Sequence, residues 1–376
     1  MSLFLSSKPL RRCEEKETLQ LMELTVEMST GLVNFRNLSN SSWQGCSRNN
    51  VLKTTVFPIL YSLLFLLGIV LNGLAAWVFF SLPSRSHFII YLKNIVVADV
   101  LMTLMFPFKI LSDSGLASVG LSIFVCRISS VVFYLTMYIS IIFFGFISID
   151  RCRKTLYPFV GTSPKGLTHR KFLSAGIWVS LLALSLPNMI LTSKVPKSDH
   201  FSCSSLKTEL GLKWHEVVNH ICQVIFWGNL VAVVVCYTLI TKELFKSFAR
   251  TRVLNTAAQT QQRKMKVRAN VFLVLAVFFV CFVPFHFARV PYTLSQTRKH
   301  FDCHQKLIIF QVKESTLWLS SLNSLLDPLI YFFLCTSFRD SLFKLLRLSP
   351  GKCGALQYST DTPAESNRTG NRSTQI

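Results

Sequence analysis

The chain has 376 residues, of which 51% are hydrophobic and only 15% charged, and its formal net charge is +22. A soluble domain carries about 25% charged residues, so the composition excludes an ordinary water-soluble globule and points to lipid as the main solvent. The positive charge does not mark a nucleic-acid binder either. The basic residues lie between apolar runs rather than in a basic-aromatic module, and in membrane proteins such clusters set topology.

Residues 1–54 read as an external N-terminal tail. Its first twenty residues hold no apolar core of signal-peptide length, so the first span is expected to direct its own insertion. Met22 and Met28 follow Met1, and initiation at either is expected to serve equally, because residues 1–27 show no folding pattern. Sequons at Asn37 and Asn40 are expected to be glycosylated. Next come seven stretches long and apolar enough to cross a hydrocarbon layer as helices: roughly 55–80, 88–112, 123–150, 171–192, 215–241, 269–294 and 307–334. Runs of that length exclude barrel strands. The predicted fold is therefore an all-α membrane protein, a seven-helix bundle over 55–334. The second, third and seventh stretches are less apolar, and their polar residues recur at helical spacing, as helices facing a bundle interior require.

Short loops fix the orientation. Arg151, Arg153, Lys154, Lys165, Arg170 and Lys171, and the basic run from Lys242 to Arg268, mark the cytoplasmic side. With the sequons outside, this predicts a plasma-membrane protein with its N-terminus extracellular and its C-terminus cytoplasmic. The loop at 247–263 is polar. Residues 335–348 are expected to form an amphipathic cytoplasmic helix, with Phe338, Leu342, Leu345 and Leu346 toward the lipid interface. Cys353 beyond it is a palmitoylation candidate. Residues 349–376, rich in Ser, Thr and Asn, read as a disordered tail open to phosphorylation, where the sequons at Asn367 and Asn371 go unused.

Eleven cysteines are too scattered for a disulfide scaffold and show no zinc-type spacing. Cys222, Cys236, Cys281 and Cys335 sit in apolar runs and read as packing. Cys126 and Arg151 lie 25 residues apart, about 37 Å along a helix, so they occupy opposite membrane faces. Cys126 is expected to pair with Cys203, and Cys46 with Cys303, all four being external; sequence alone leaves the connectivity open. The outer loops are also basic, at Lys194, Lys197, Lys207, Lys213, Arg298, Lys299 and Lys306. An anionic partner outside explains this; so does a merely solvated loop surface.

At the inner end of the third stretch stands Ser148-Ile-Asp150-Arg151-Cys152. Here the chain resembles the rhodopsin-like G-protein-coupled receptors, whose third helix ends in Asp-Arg-Tyr; Cys152 replaces the tyrosine. Further matches are Asn72, Asp99, Trp178, Tyr237, Phe278, Cys281-Phe282-Val-Pro284 and Asn323 with Asp327-Pro328-Leu-Ile-Tyr331. Phe282 stands where Trp is common, and Asn229 where Pro is common. The resemblance implies that Asp150 and Arg151 govern G-protein coupling, with Arg151 leaving Asp150 to meet the G protein. It also implies that Asn72, Asp99, Asn323, Asp327 and Tyr331 form a switch core with water and, near Asp99, a possible sodium ion. Simple interhelical hydrogen bonding is the plainer alternative. Positions 313, 316, 320, 323, 327 and 331 give one polar stripe down the seventh helix.

His286, Arg289, Tyr292 and Gln296 share one face of the sixth helix. Arg289, Lys313 and Lys207 converge on an outward pocket and suit a di- or polyphosphate. For each cation alone the plainer reading is a snorkelling side chain, or for Lys313 an internal pair with Glu314. Tyr134, Tyr138, Asn188, His215 and Asn219 supply an aromatic and amide wall. Blocks such as Pro107-Phe-Lys-Ile-Leu-Ser-Asp113, Val280-Cys-Phe-Val-Pro-Phe-His-Phe-Ala-Arg289 and Val312-Lys-Glu-Ser-Thr-Leu-Trp-Leu319 make residues 50–345 similar to the purinergic nucleotide-receptor family, above all its platelet-type ADP receptors. That likeness implies ADP as agonist, an inhibitory G protein that lowers cyclic AMP, and arrestin and receptor kinases as further partners. It also implies that Tyr134 stacks on adenine while Arg289, Lys313 and Lys207 contact phosphates. Members of the same subfamily prefer uridine-diphosphate sugars, which is the alternative ligand. No HExxH, P-loop or GxSxG motif speaks for an enzyme, no cofactor is expected, and no internal repeat speaks for a transporter, the rival class.

Overall fold

A computed structural model describes residues 51–81, 87–157, 164–196, 203–251, 257–297 and 301–345. The chain divides into two units, Met1–Ser47 and Arg48–Ile376, and every described residue lies in the second. Asn37, Asn40, Cys46 and Cys353, together with the tails around them, fall outside the described residues.

The helices are α1 (Phe57–Ser81), α2 (His87–Asp113), α3 (Ser130–Leu156), α4 (Pro164–Ile190), α5 (Glu209–Thr251), α6 (Ala257–Thr297), α7 in two segments (Cys303–Ser321 and Asn323–Leu334) and α8 (Thr336–Leu345). A short helix, Val119–Phe124, capped by the Ser118 hydroxyl, leads through one π-turn, Val125–Ser129, into α3. No strand occurs among the described residues. Each of α1 to α6 holds a segment long and apolar enough to cross a membrane, and the seventh qualifies when taken together with α8, from which it is bent by 95°. The weaker seventh signal follows from the polar stripe, which lowers its mean hydropathy without shortening it.

Helices rather than loops occupy these stretches because lipid offers backbone groups no partner, so each must bond within its own segment. Successive helices pack as a ring, with α2 on α1, α3 on α2 and α5, α6 on α5 and α7, and the second α7 segment back on α1. The central member is α3: 72% of its most apolar stretch is buried, against 17% for α4. Outward faces are apolar and bare, as with Leu66, Trp77 and Phe80 on α1 and Val179, Leu186 and Ile190 on α4. The Trp178 indole N–H ties α4 to α2 by donating to Asn94 Oδ1 at 2.9 Å.

Two departures from ideal helices have local causes. Pro328 has no N–H to give Ser324 four residues earlier, and Asn72 Nδ2 of α1 donates to the freed Ser324 carbonyl at 2.9 Å instead. This bond, 252 residues apart in sequence, locks α1 to α7 near its break at Leu322. Asn229, standing where the resemblance expected a proline, keeps α5 continuous. Its Nδ2 donates to the Ile225 carbonyl at 3.0 Å, while its Oδ1 fills the space where a Cβ on Gly145 of α3 would lie. The α3–α5 seam thus depends on glycine at that one position.

Candidate functional site

At the end of the bundle marked by the Cys126–Cys203 disulfide, whose Cα atoms are 5.2 Å apart, the chain from 203 to 208 folds back over the helices. Lys194 N–H donates to Leu206 O at 2.9 Å and Thr208 N–H to Leu191 O at 3.0 Å. Arg127 Nε pins the chain just beyond α4, on which this strap lies, by donating to Thr192 O at 2.8 Å. Lys207 is thereby held beside the end of α4, its Nζ 3.4 Å from Asn188 Oδ1 and 3.5 Å from Thr192 Oγ1. Burial without a carboxylate partner pushes its ammonium down to about 8.

Arg289 of α6 is only 6% exposed. Its Nε donates to Asn219 Oδ1 at 2.8 Å and its Nη1 to the Tyr138 hydroxyl at 3.0 Å, with Nη2 also on Asn219 Oδ1. The guanidinium lies 4.8 Å from the Tyr134 ring centroid and 5.5 Å from that of Tyr138. Asn219 Nδ2 in turn donates to Thr293 Oγ1 at 2.8 Å and approaches His215 Nε2 at 3.2 Å. Beneath them, the His286 Nδ1–H donates to Phe282 O at 2.8 Å, so that Nε2 of the neutral ring accepts from the Tyr138 hydroxyl at 3.0 Å. The same imidazole stacks on Phe226 at 3.6 Å, and Phe226 stacks on Phe278 at 5.9 Å.

Lys313 of α7 is differently placed. Its Nζ is 2.6 Å from Glu314 Oε1, and the other oxygen of Glu314 is 2.9 Å from Lys109 Nζ, which also reaches Asp113 at 2.8 Å. Lys313 lies 5.0 Å from the Tyr292 ring centroid and 6.0 Å from that of Tyr134, while Gln296 Nε2 donates to the Tyr292 hydroxyl at 2.9 Å. The chain Lys313–Glu314–Lys109–Asp113 balances two positive charges against two negative ones. Arg289 and Lys207, by contrast, meet only neutral partners among the described residues. A buried charge without a counter-charge is destabilising by several kcal/mol, and an anion placed here would supply one.

Deeper in the bundle the balance is reversed. Asp99 and Asp327 are fully buried neighbours. The Tyr331 hydroxyl donates to Asp99 Oδ2 at 3.2 Å. Asp99 Oδ1, both oxygens of Asp327, both polar atoms of Asn323 and the Ser140 hydroxyl have no close hydrogen-bond partner among the described residues. Clustered orphans of this kind call for water or a cation, and the acceptor oxygens present fit a hard cation.

At the far end, Arg151 is not paired with Asp150, contrary to the reading of the Asp-Arg motif. Asp150 faces His87 Nδ1 at 3.2 Å and Lys154 Nζ at 2.9 Å. Arg151 instead sits 4.7 Å from the Phe88 ring centroid. Phe88, Tyr237 and Tyr331 line a narrow cleft there with Leu92, Phe144, Ile147 and Ile330. Cys152, in the place of tyrosine, packs with Cys236 and Tyr237.

The predicted pocket residues thus group unevenly. Tyr138, His215, Asn219, His286 and Arg289 form one bonded network; Lys207 and Asn188 form a second contact; Tyr292 and Gln296 bond each other; Lys313 takes the internal pair with Glu314. The readings of Lys109 and Asp113 as a mere matching block, and the silence on Gln223, missed real participants. Gln223 Nε2 donates to His286 O at 2.8 Å. Lys109 and Asp113, four residues apart at the end of a membrane helix, carried the only local signal. Cys303 is disulfide-bonded, and Cys46, its expected partner, lies outside the described residues.

Residues 71–331 match the family described as 7 transmembrane receptor (rhodopsin family). The chain is 46% identical over 304 residues to purinoceptor 14 of Bos taurus, covering 81% of this chain and 89% of that one. It is 46% identical over 330 residues to purinoceptor 13 of Homo sapiens, covering 87% and 91%. It is 42% identical over 311 residues to G-protein coupled receptor 87 of Mus musculus, covering 81% and 85%. The chain is a multi-pass membrane receptor rather than an enzyme, and belongs to the rhodopsin family of seven-transmembrane receptors, within its purinoceptor type.

Proposed function

We propose that the protein is a plasma-membrane receptor for extracellular ADP, of the platelet type, which couples to an inhibitory G protein and lowers cyclic AMP. The observation that carries this reading is the pair of cations, the buried Arg289 and the half-buried Lys207, that meet only neutral groups beside an aromatic and amide wall. A diphosphate supplies the missing charge, Arg289 as a fork and Lys207 as a point charge. Tyr134, Tyr138, Asn188, His215, Asn219, Tyr292 and Gln296 then surround the nucleoside. The names of the relatives, purinoceptors, support a purine. The pocket end faces outside, the Asp150–Arg151 end faces the cytoplasm, and the sequence beyond α8 serves arrestin and receptor kinases.

Phosphate binding draws Arg289 away from Asn219 and Tyr138. That disturbs the Tyr138–His286 bond and, through the Phe226 and Phe278 stack, the packing around Phe282 and Pro284 of α6. The Asp99–Asp327 core, with its orphaned acceptors, holds water or sodium in the resting receptor and releases it as α6 and α7 shift. Arg151 and Tyr237 then meet the G protein. A uridine-diphosphate sugar is the second reading, because the same two cations match a diphosphate whatever the base.

The test is cyclic AMP in forskolin-treated cells expressing the chain, titrated with ADP, UDP and UDP-glucose beside Arg289→Ala. A fall with ADP alone, lost in the variant at equal surface expression, is expected. A response to uridine nucleotides only overturns the base, and silence to all three overturns the nucleotide reading.

A further inference from the structure

The nucleotide reading leaves one arrangement without a role: Lys313 reaches the pocket, yet its ammonium is held 2.6 Å from Glu314. A cation so paired cannot serve a ligand unless it lets go, and letting go would strand a carboxylate that is 6% exposed. Stranding one partner of a buried pair is strongly destabilising. Glu314 is not stranded, however, because its second oxygen is bound by Lys109 from α2 at 2.9 Å. Lys109 is kept in place by Asp113 at 2.8 Å, one turn along its own helix, and by the Tyr61 ring at 5.1 Å.

The charge count gives this sharing a consequence. Arg289 and Lys207 offer two unpaired positive charges. A diphosphate esterified at both ends, as in a nucleotide sugar, carries about two negative charges and is matched without Lys313. A terminal phosphate has a second pKa near 6 and carries about −1.5 to −2 at pH 7, so a nucleoside diphosphate brings close to one charge more. The cation in reach of that extra charge is Lys313.

Resting on the nucleotide reading, we infer that Lys109 is a specificity-determining positioning residue: by holding Glu314 in its stead, it makes Lys313 releasable and so equips the pocket for a terminal phosphate over a phosphodiester. Lys109 does not touch the ligand in this scheme. It acts through Glu314, and its effect falls on one ligand class only.

The experiment is displacement of a radiolabelled nucleotide from membranes holding the full-length receptor at matched surface density, with ADP and ADP-ribose as competitors. ADP ends in a free phosphate, and ADP-ribose is the same adenine diphosphate esterified at both ends. In Lys109→Met, ADP affinity is expected to fall about tenfold or more, as loss of one partner in a buried charge cluster does, while ADP-ribose changes less than about threefold, the scatter expected of an independent site. Glu314→Gln frees Lys313 and is expected to leave ADP binding intact or tighter. The double variant Lys109→Met/Glu314→Gln is expected to recover most of the ADP loss, which a fold defect at Lys109 would not permit. Equal losses for both competitors, or no recovery in the double variant, overturn the inference while leaving the nucleotide reading in place. Absence of binding by the wild-type receptor to either compound overturns both together.

Discussion

The bundle holds two buried polar regions with opposite faults. In the pocket near the disulfide the buried polar groups of Arg289, Asn219, Tyr138 and His286 bond one another, yet positive charge is in excess. In the Asp99–Asp327 core two carboxyl groups share one fully buried site with no cation beside them among the described residues, and the hydrogen bonds are loose, Asp99 Oδ1 and the oxygens of Asp327 lacking a close donor. The first region is geometrically finished and short of an anion. The second is short of both cation and donors. The difference separates a site that waits for a ligand of defined shape from one that small mobile species such as water and sodium can satisfy.

Four measurements bear on that contrast. The largest effect is expected from Arg289→Ala, which removes the fork and leaves Asn219 Oδ1 without its donors. Agonist potency should fall about a hundredfold or more, in keeping with the 2–5 kcal/mol such truncations cost, whereas any sodium sensitivity should persist. Next comes Gly145→Ala, a probe of the α3–α5 seam. Displacing the Asn229 amide should lower the stability of detergent-solubilised receptor by about 1–3 kcal/mol in a thermal melt, and Asn229→Ala in the same chain should restore it. If the single variant melts with the wild type, the seam is slacker than described.

The third measurement concerns the core. Raising sodium should weaken agonist binding about fivefold or more, the usual span of coupling between sites, and Asp99→Asn should abolish that dependence. An unchanged sodium response in the variant would remove the ion from Asp99. The smallest effect concerns Lys207. Its ammonium titrates near 8, below the ordinary lysine value of 10.5, because burial disfavours the charge. The charged form that an anion needs therefore predominates below pH 8 and is lost progressively above it. The linked effect on the fold has the opposite sign, stability rising between pH 8 and 10.5 as the proton leaves. Agonist affinity should drop about threefold from pH 7.5 to 9, a weak electrostatic term, and Lys207→Arg should flatten the profile, since arginine stays charged.

Much of the fold was legible because lipid imposes a simple rule, a long apolar run for each crossing. What escaped the rule lay beyond the membrane. Helix α5 runs on to Thr251 and α6 begins at Ala257, well past the apolar limits, since polar helical turns bond internally without leaving a hydrophobic trace. In the pocket, the spacing of His286, Arg289 and Tyr292 on one face was readable from α6 alone. The Lys109–Glu314 pair was not, because its members are 205 residues apart and come together only through the closing of α2 on α7. Asp150 taught the opposite lesson. Adjacent opposite charges invite pairing on paper, but neighbours on a helix point about 100° apart, and His87 from α2 and Lys154 one turn on are better placed to meet the carboxylate.

The strap carrying Lys207 has a kinetic side as well. Lys207 lies four residues from the Cys203 anchor and two from the start of α5, so its backbone can wander no more than about 14 Å from the disulfide even at full stretch. A lysine tethered on so short a leash explores a tiny volume, and its local concentration at the pocket mouth is high before any ligand arrives. Reduction would free one end of the leash while α5 still holds the other within about 7 Å, so the same charge would face the pocket mouth less of the time, and ligand residence time would shorten with no contact residue altered.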